Sequence, residues 1–378
     1  MRILFLSLIP SYWGGSEELW SRCAIALKRA GHEVTAYLSM FREAPRLDEL
    51  AAAGIRLRYG TPAPMRWWRR WTTHPRGHWF EFERCLSETK PDLAVFSQCA
   101  VRDGIDEILA CRERGVPYAI INQLTEPLFY PDEKWRCIDR AFSHARRIWF
   151  VSRENRDATV RFLAHPLEQA ETVPNAYNCR HDGELPWPDS STPLRLAIVG
   201  RIEPEQKGHD LLIETLAREE WRNRPAEVAI IGRGPAEEML VARCRALGAT
   251  QIKFVGAIDD PVEIWRTRHA LLMPSRYEGQ SLAMLEAMLL GRPVIVNPVG
   301  GVAGLVADGR NGFVAERADQ TAFAAALERA WERRDDWPTL GRTAAADARH
   351  HVSPDPGAAL AERITAVASA GPRPTPSS

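Results

Sequence analysis

Ser275-Arg276-Tyr277-Glu278-Gly279-Gln280-Ser281-Leu282-Ala283-Met284-Leu285-Glu286-Ala287-Met288 is the stretch whose reading decides the fold. Before it, the short apolar run Ala270-Leu271-Leu272-Met273-Pro274 predicts a buried strand. After the loop, Leu282 to Leu290 predicts a helix stopped by Gly291. Glu278 falls in the loop and Glu286 in the helix, so the two carboxylates do not stack on one helix face. They flank a helix N-terminus, whose free N–H groups suit a phosphate. Acids accept hydrogen bonds from sugar hydroxyls, so this arrangement suits a sugar nucleotide.

The same alternation extends both ways. Leu194–Val199, Val228–Ile231, Ile252–Val255, Ala270–Met273 and Pro293–Asn297 are expected strands, with helices near Asp210–Arg218, Pro235–Leu247, Pro261–Arg266, Ser281–Leu290 and Asp319–Arg334. In the first half Ile3–Ile9, Glu33–Leu38, Ile55–Tyr59, Leu93–Phe96, Tyr118–Ile121 and Ile148–Val151 are expected strands. Ser16 is expected to cap a helix over Glu17–Ala30 whose first-turn acids Glu17 and Glu18 favour its dipole. The Pro-, Gly- and Ser-rich stretch Asn178 to Pro193 breaks the series and predicts a connector. The expectation is an α/β chain of two Rossmann-like doubly wound domains facing a central cleft, with ligands at the carboxyl ends of the strands. Its boundaries are 1–180, a linker over 181–193, 194–350, a helix over 351–371 crossing back to the first domain, and a disordered tail over 372–378.

Bulk composition narrows the function classes. The 378 residues are 45% hydrophobic and 26% charged, which is ordinary for a soluble globular chain. Forty-nine basic and forty-nine acidic residues cancel, which argues against a nucleic-acid binder. The seven cysteines are scattered, with no close C-x-x-C pair, so neither a metal cluster nor a disulfide framework is expected. That suits a reducing cytoplasm. Met1 to Pro10 is expected as a first buried strand rather than a signal peptide, and no apolar run is long enough to span a bilayer.

Several residues draw attention by position. Arg201 and Lys207 lie in the loop after the first strand of the second half, where two cations could neutralise a diphosphate; solvated loop charges are the plain alternative. Gly14 and Gly15 form either a tight turn or a loop admitting substrate. Gly232-Arg233-Gly234 begins a dinucleotide fingerprint but lacks its third glycine, which disfavours NAD. Met65-Arg66-Trp67-Trp68-Arg69-Arg70-Trp71, continuing to Phe80, interleaves cations and aromatics. It reads as an acceptor-binding loop, a peripheral membrane patch over 65–80, or a cap on the core.

Six segments occur in a telling order: Gly14-Gly15-Ser16-Glu17 with Ala30-Gly31-His32-Glu33-Val34-Thr35; Val173-Pro174-Asn175-Ala176; Val199-Gly200-Arg201 with Lys207-Gly208; Ile231-Gly232-Arg233-Gly234-Pro235; Glu278 to Glu286 with Gly291-Arg292-Pro293; and Gly300-Gly301 with Asp308-Gly309-Arg310-Asn311-Gly312-Phe313. In this the chain resembles the retaining, nucleotide-sugar-dependent glycosyltransferases of family 4, which have the GT-B fold. The resemblance implies transfer of a sugar from a UDP- or GDP-linked donor to an acceptor hydroxyl, with retention. It implies that Arg201 and Lys207 contact the donor diphosphate, that Glu278 holds the donor sugar near its anomeric carbon, and that Glu286 binds the ribose. Arg201, Lys207 and Glu278 are the implied catalytic residues. The N–H groups of Gln280, Ser281 and Leu282 would meet the distal phosphate, with Gly279 allowing close approach and Gly234 and Gly15 also expected at the donor. Many relatives carry a histidine where Gln123 stands here; a one-residue shift would make Asn122 the counterpart. Acceptor contacts are expected in the first domain, at Trp13, Trp67, Trp68 and Trp71. The co-substrate aside, no cofactor and no metal is implied. The location implied is cytoplasmic, or the inner face of the membrane. A sugar-nucleotide epimerase of the same fold and a non-catalytic sugar-nucleotide-binding scaffold are the alternatives.

Overall fold

A computed structural model describes residues 1–8, 13–38, 45–60, 76–126, 129–179, 181, 183–189 and 193–370. Two compact units divide the chain: Met1–Ala176 together with the chain from Ser353 onward, and Tyr177–Val352. Each is an all-parallel sheet with helices on both faces, and together they give the two-domain Rossmann-like GT-B fold.

The first sheet holds β1 (Arg2–Ser7), β2 (Glu33–Leu38), β3 (Arg56–Tyr59), β4 (Leu93–Gln98), β5 (Tyr118–Asn122), β6 (Ile148–Phe150) and β7 (Ala170–Thr172), in the order β3-β2-β1-β4-β5-β6-β7. Strand alternation distributes the core. Ile3 and Phe5 pack with Leu19, Trp20 and Cys23 of the helix Gly15–Arg29, while Leu4 and Leu6 pack with Phe82 and Cys85 on the other face. The helix Pro356–Ser369 belongs to this unit. It lies so close to Gly15–Arg29 that a Cβ on Gly357 would stand 2.6 Å from the Cβ of Arg22.

The second sheet holds β8 (Leu194–Val199), β9 (Ala226–Ile231), β10 (Ile252–Gly256), β11 (Ala270–Met273), β12 (Val294–Val296) and β13 (Gly312–Val314), in the order β10-β9-β8-β11-β12-β13. In both sheets the order reverses once, between β1 and β4 and between β8 and β11. The helices on either side of such a point diverge and leave a crevice at the strands' carboxyl ends.

Two expectations need correction. Ser16 is not the cap of the first helix. Gly14 takes that place, with no side-chain cap bond, and Ser16 lies in the first turn, donating to Glu17. The chain divides after Ala176 rather than over 181–193. The described part of that stretch is fastened to the second unit: Leu185 is buried in its core, and the Leu185 amide donates to the Leu290 carbonyl at 3.3 Å. The agent is Arg292, fully buried, which spends its donors on the carbonyls of Trp265, Arg268, Leu185, Leu290, Gly291 and Pro186. Burial pulls its guanidinium down to about 10. Arg292→Leu leaves those carbonyls without donors and should destabilise the protein by about 3 kcal/mol in denaturant unfolding; an unchanged midpoint would show that Arg292 is not the anchor.

Candidate functional site

The carboxyl ends of β8 and β11 bring the main candidates together. After β8 the chain turns through Gly200 and Arg201, then Pro204–Lys207. After β11 it runs Pro274 to Ser281 into the helix Leu282–Leu289. Lys207 Nζ donates to Glu278 Oε1 at 2.6 Å, and Ser275 Oγ donates to the same oxygen at 2.9 Å. The lysine and glutamate side chains are only 17% and 6% exposed, so the pair is shielded enough for its charges to act strongly on each other.

Neighbouring residues fix this pair. Arg276 forks onto both carboxylate oxygens of Asp210 at 2.8 and 2.7 Å and donates to the Pro204 carbonyl at 2.6 Å; its own amide donates to the Gln206 carbonyl at 2.8 Å. The turn carrying Lys207 is thus bolted to the loop carrying Glu278. Asn297 Nδ2 donates to the Ser275 carbonyl at 3.0 Å from the next strand end. Glycines permit the close approach. A Cβ on Gly208, at φ +69°, would lie 2.1 Å from the Pro274 carbonyl oxygen, and one on Gly300, at φ +61°, would lie 2.2 Å from the Glu278 Cβ. Gly234 has a packing role of the same kind, its Cβ position lying 2.4 Å from the Ile202 carbonyl oxygen.

Arg201 follows β8 directly, is part-exposed, and sits 3.4 Å from Glu203. Ser281 caps the helix Leu282–Leu289, accepting from the Met284 amide at 3.3 Å, which leaves the amides around Leu282 at the helix mouth. Gly279 is buried, and Gln280 is also buried, its Nε2 3.4 Å from His351 Nε2. Glu286 lies inside that helix, buried among apolar neighbours, and its Oε1 accepts from the Asn178 amide at 2.9 Å. One element, then, presents a helix end, a loop acid and a helix acid on one side of the sheet.

His209 opens the next helix, His209–Leu216, fully buried, with neither ring nitrogen hydrogen-bonded among the described residues. Burial, then the charge of Lys207, pulls its imidazole down to about 4, with Asp210 opposing. It is therefore neutral beside the lysine. Adjacency to Lys207-Gly208 was the one local hint of this, and the roles of Ser275, Arg276 with Asp210, Asn297 and Gly300 were equally hidden.

The first unit places Gln123 just past β5, buried, its amide bonded to the Gln98 carbonyl at 3.0 Å and its Nε2 without a partner among the described residues. Asn122, the other possible counterpart, has its side chain committed: it donates to Gln98 Oε1 at 3.4 Å and accepts from Asn155 Nδ2 at 3.0 Å. Gly15 is the exposed first residue of the helix Gly15–Arg29. Trp13 is half-buried against Trp20, ring centroids 5.9 Å apart, and its indole N–H donates to Glu18 Oε1 at 2.9 Å. Those contacts make it a part of the core's edge. Trp67, Trp68 and Trp71 lie outside the described residues, as does most of the 65–80 patch. No group of His, Cys, Asp and Glu suited to a metal ion occurs among the described residues, and no described helix is long and apolar enough to cross a membrane.

Known proteins align with both halves. Residues 13–181 match the family model described as Glycosyltransferase Family 4, and residues 193–333 the one described as Glycosyl transferases group 1. D-rhamnosyltransferase WbpZ of Pseudomonas aeruginosa is 29% identical over 165 residues, 42% of this chain and 42% of that protein. A glycogen synthase of Halorhodospira halophila is 35% identical over 159 residues, 38% of this chain and 32% of that one. The matched segment spans between about a third and two fifths of these curated relatives. The crystal structure of HepE from Anabaena, in complex with UDP and glucose, superposes with a TM-score of 0.75 at 18% identity, covering 97% of this chain and 100% of that one. At that identity the likeness establishes the fold.

His209 supplies a pH test. Its folded-state pKa lies below the unfolded one, so its contribution is present above pH 6.5 and is lost as pH falls toward 4. The wild-type protein should lose about 2 kcal/mol of stability between pH 7 and pH 5 through this group, and His209→Gln should not. Equal losses in the two proteins would show that the imidazole titrates freely.

Proposed function

We propose that this chain, both halves of which match glycosyltransferase families, moves a sugar from a nucleoside diphosphate sugar to an acceptor hydroxyl with retention at the anomeric carbon. The Lys207–Glu278 pair at the switch point of the second sheet carries the reading. A shielded lysine held 2.6 Å from a carboxylate, beside a capped helix mouth, is a ready site for a diphosphate next to a sugar.

In this reading the donor's diphosphate lies between Lys207, Arg201 and the amides of Gln280, Ser281 and Leu282. These groups oppose the negative charge that grows on the leaving diphosphate, and they are already in place before reaction. Glu278 accepts from donor sugar hydroxyls and stands near the carbon where positive charge develops. Glu286, steadied by the Asn178 amide, accepts from the ribose. Gln123 offers an unused N–H to a sugar hydroxyl; it carries no proton to give or take. The acceptor's proton then passes to the departing phosphate on the same face, which is the route to retention. The base is uracil or guanine, and the acceptor binds to the first unit. Charge on the leaving group is assigned to Arg201 and Lys207 rather than to a metal.

The direct experiment incubates the protein with UDP- and GDP-sugars without acceptor. A transferase releases nucleoside diphosphate slowly; an epimerase returns a changed sugar still bound to nucleotide; a scaffold does neither. The matching donor, at a hundred times its dissociation constant, should add about 2.7 kcal/mol of stability. Lys207→Ala should lower turnover by about a hundredfold or more, with EDTA leaving the wild-type rate unchanged. Full turnover in Lys207→Ala would remove the lysine from the mechanism.

A further inference from the structure

A fully buried acid stands at the switch point of the first sheet, unused by the reaction above. Glu17, in the first turn of Gly15–Arg29, has no exposed surface. Its Oε1 accepts from Ser7 Oγ at 3.1 Å and its Oε2 from Ser16 Oγ at 2.6 Å. Ser7 ends β1 and lies in register with Ser97 of β4, whose hydroxyl donates to the Ser16 carbonyl at 3.5 Å. These are the two strands between which the order reverses. Two strands from β1 along the same edge, Gln123 Nε2 is a buried donor with no partner among the described residues, and a hydroxyl oxygen would satisfy it.

Burial pushes the Glu17 carboxyl up to about 7, against the hydroxyls of Ser16 and Ser7 and the Gly14 amide. From β1, Ser7 donates its hydroxyl to it. Glu18, next on its own helix, is turned to Arg22 and Arg46 at 3.5 and 3.3 Å, and Asp355, at the start of the packed helix Pro356–Ser369, bears on Cys23. Its titration is therefore set by burial and by the neutral groups of Ser16, Ser7, the Gly14 backbone and Trp20.

We propose that Ser16 and Glu17 form a hydrogen-bonded pair whose charge state sets the polarity that Ser16 presents to a hydroxyl ligand in the first unit. A serine hydroxyl has one proton and two lone pairs. With Glu17 ionised, that proton goes to the carboxylate, and Ser16 Oγ can only accept from a ligand hydroxyl. With Glu17 protonated, the acid donates to Ser16 Oγ, and the serine proton turns outward. Glu17 is a positioning residue; it touches no substrate. The ligand class is a neutral hydroxyl-bearing acceptor, and this part of the inference rests on the transferase reading.

Two measurements on the full chain test it. In a ¹³C titration, the Glu17 carboxyl signal is assigned by its loss in Glu17→Gln. Ser16→Ala removes a donor to the charged form and should raise the midpoint by about half a pH unit or more. An unmoved midpoint would overturn the pair. The consumption of UDP-glucose, or of whichever nucleotide sugar gives the largest thermal shift, is then followed from pH 6 to 8. The wild-type rate should rise about tenfold as Glu17 ionises, and Glu17→Gln and Ser16→Ala should both be flat. A wild-type profile in Glu17→Gln would overturn the polarity switch. If no nucleotide sugar is consumed at any pH, the transferase reading fails, while the titration still decides whether Ser16 and Glu17 are coupled.

Discussion

A lysine and a glutamate held together in a nearly dry turn cost desolvation on both sides, and the second unit is arranged around that cost. Lys207 and Glu278 come from loops after different strands, seventy-one positions apart in the chain. Their 2.6 Å contact exists because β8 and β11 are neighbours, which is a matter of sheet order. The Arg276–Asp210 fork clamps the two loops, and Ser275 and Asn297 brace the glutamate's side. A buried pair with such support is rigid, and rigidity is what a charge-stabilising site needs, because reorganising dipoles during a reaction costs free energy.

The glycines follow from the same constraint. Gly208 and Gly300 both have positive φ, and both sit where a Cβ would collide with the backbone or side chain of the Glu278 loop and its approach. Gly232, at φ +151°, would place a Cβ 1.9 Å from the Gly200 carbonyl oxygen. The two loops leaving β8 and β9 are zipped by the Gly200 amide to the Ile231 carbonyl at 3.0 Å and the Ile202 amide to the Arg233 carbonyl at 3.0 Å. Among the glycines that carried the family resemblance, Gly208, Gly232 and Gly234 are places where one loop's backbone touches another's.

The two units treat polarity differently. The second concentrates charge at its strand ends: Arg201, Lys207, Asp210, Arg276 and Glu278. The first lines part of its strand ends with neutral amides and hydroxyls, Gln98, Asn122, Gln123, Thr125 and Asn155, linked by hydrogen bonds, alongside the Arg102–Glu126 ion pair and the buried acid Glu17.

Local pattern was enough for the strands and for the loop-to-helix junction at Glu278 and Glu286. Leu194–Val199 and Ala270–Met273 were legible to the residue because a parallel strand covered on both faces is a continuous apolar run. Three-residue strands such as Ala170-Glu171-Thr172 and Gly312-Phe313-Val314 were not, being too short for any period to emerge. Proline and glycine content suggested an interdomain connector before Leu194, because a buried arginine nearly a hundred residues further on, which fastens that segment, leaves no local trace. Glu17 looked like a helix-dipole acid because sequence shows what a side chain is and not what covers it. The chain by itself determined its elements, their parallel pairing and the residue types at the strand ends. Only the tertiary structure decided which of those residues meet and which are shut away from water, because contact and burial depend on sheet order and on packing between segments far apart in sequence.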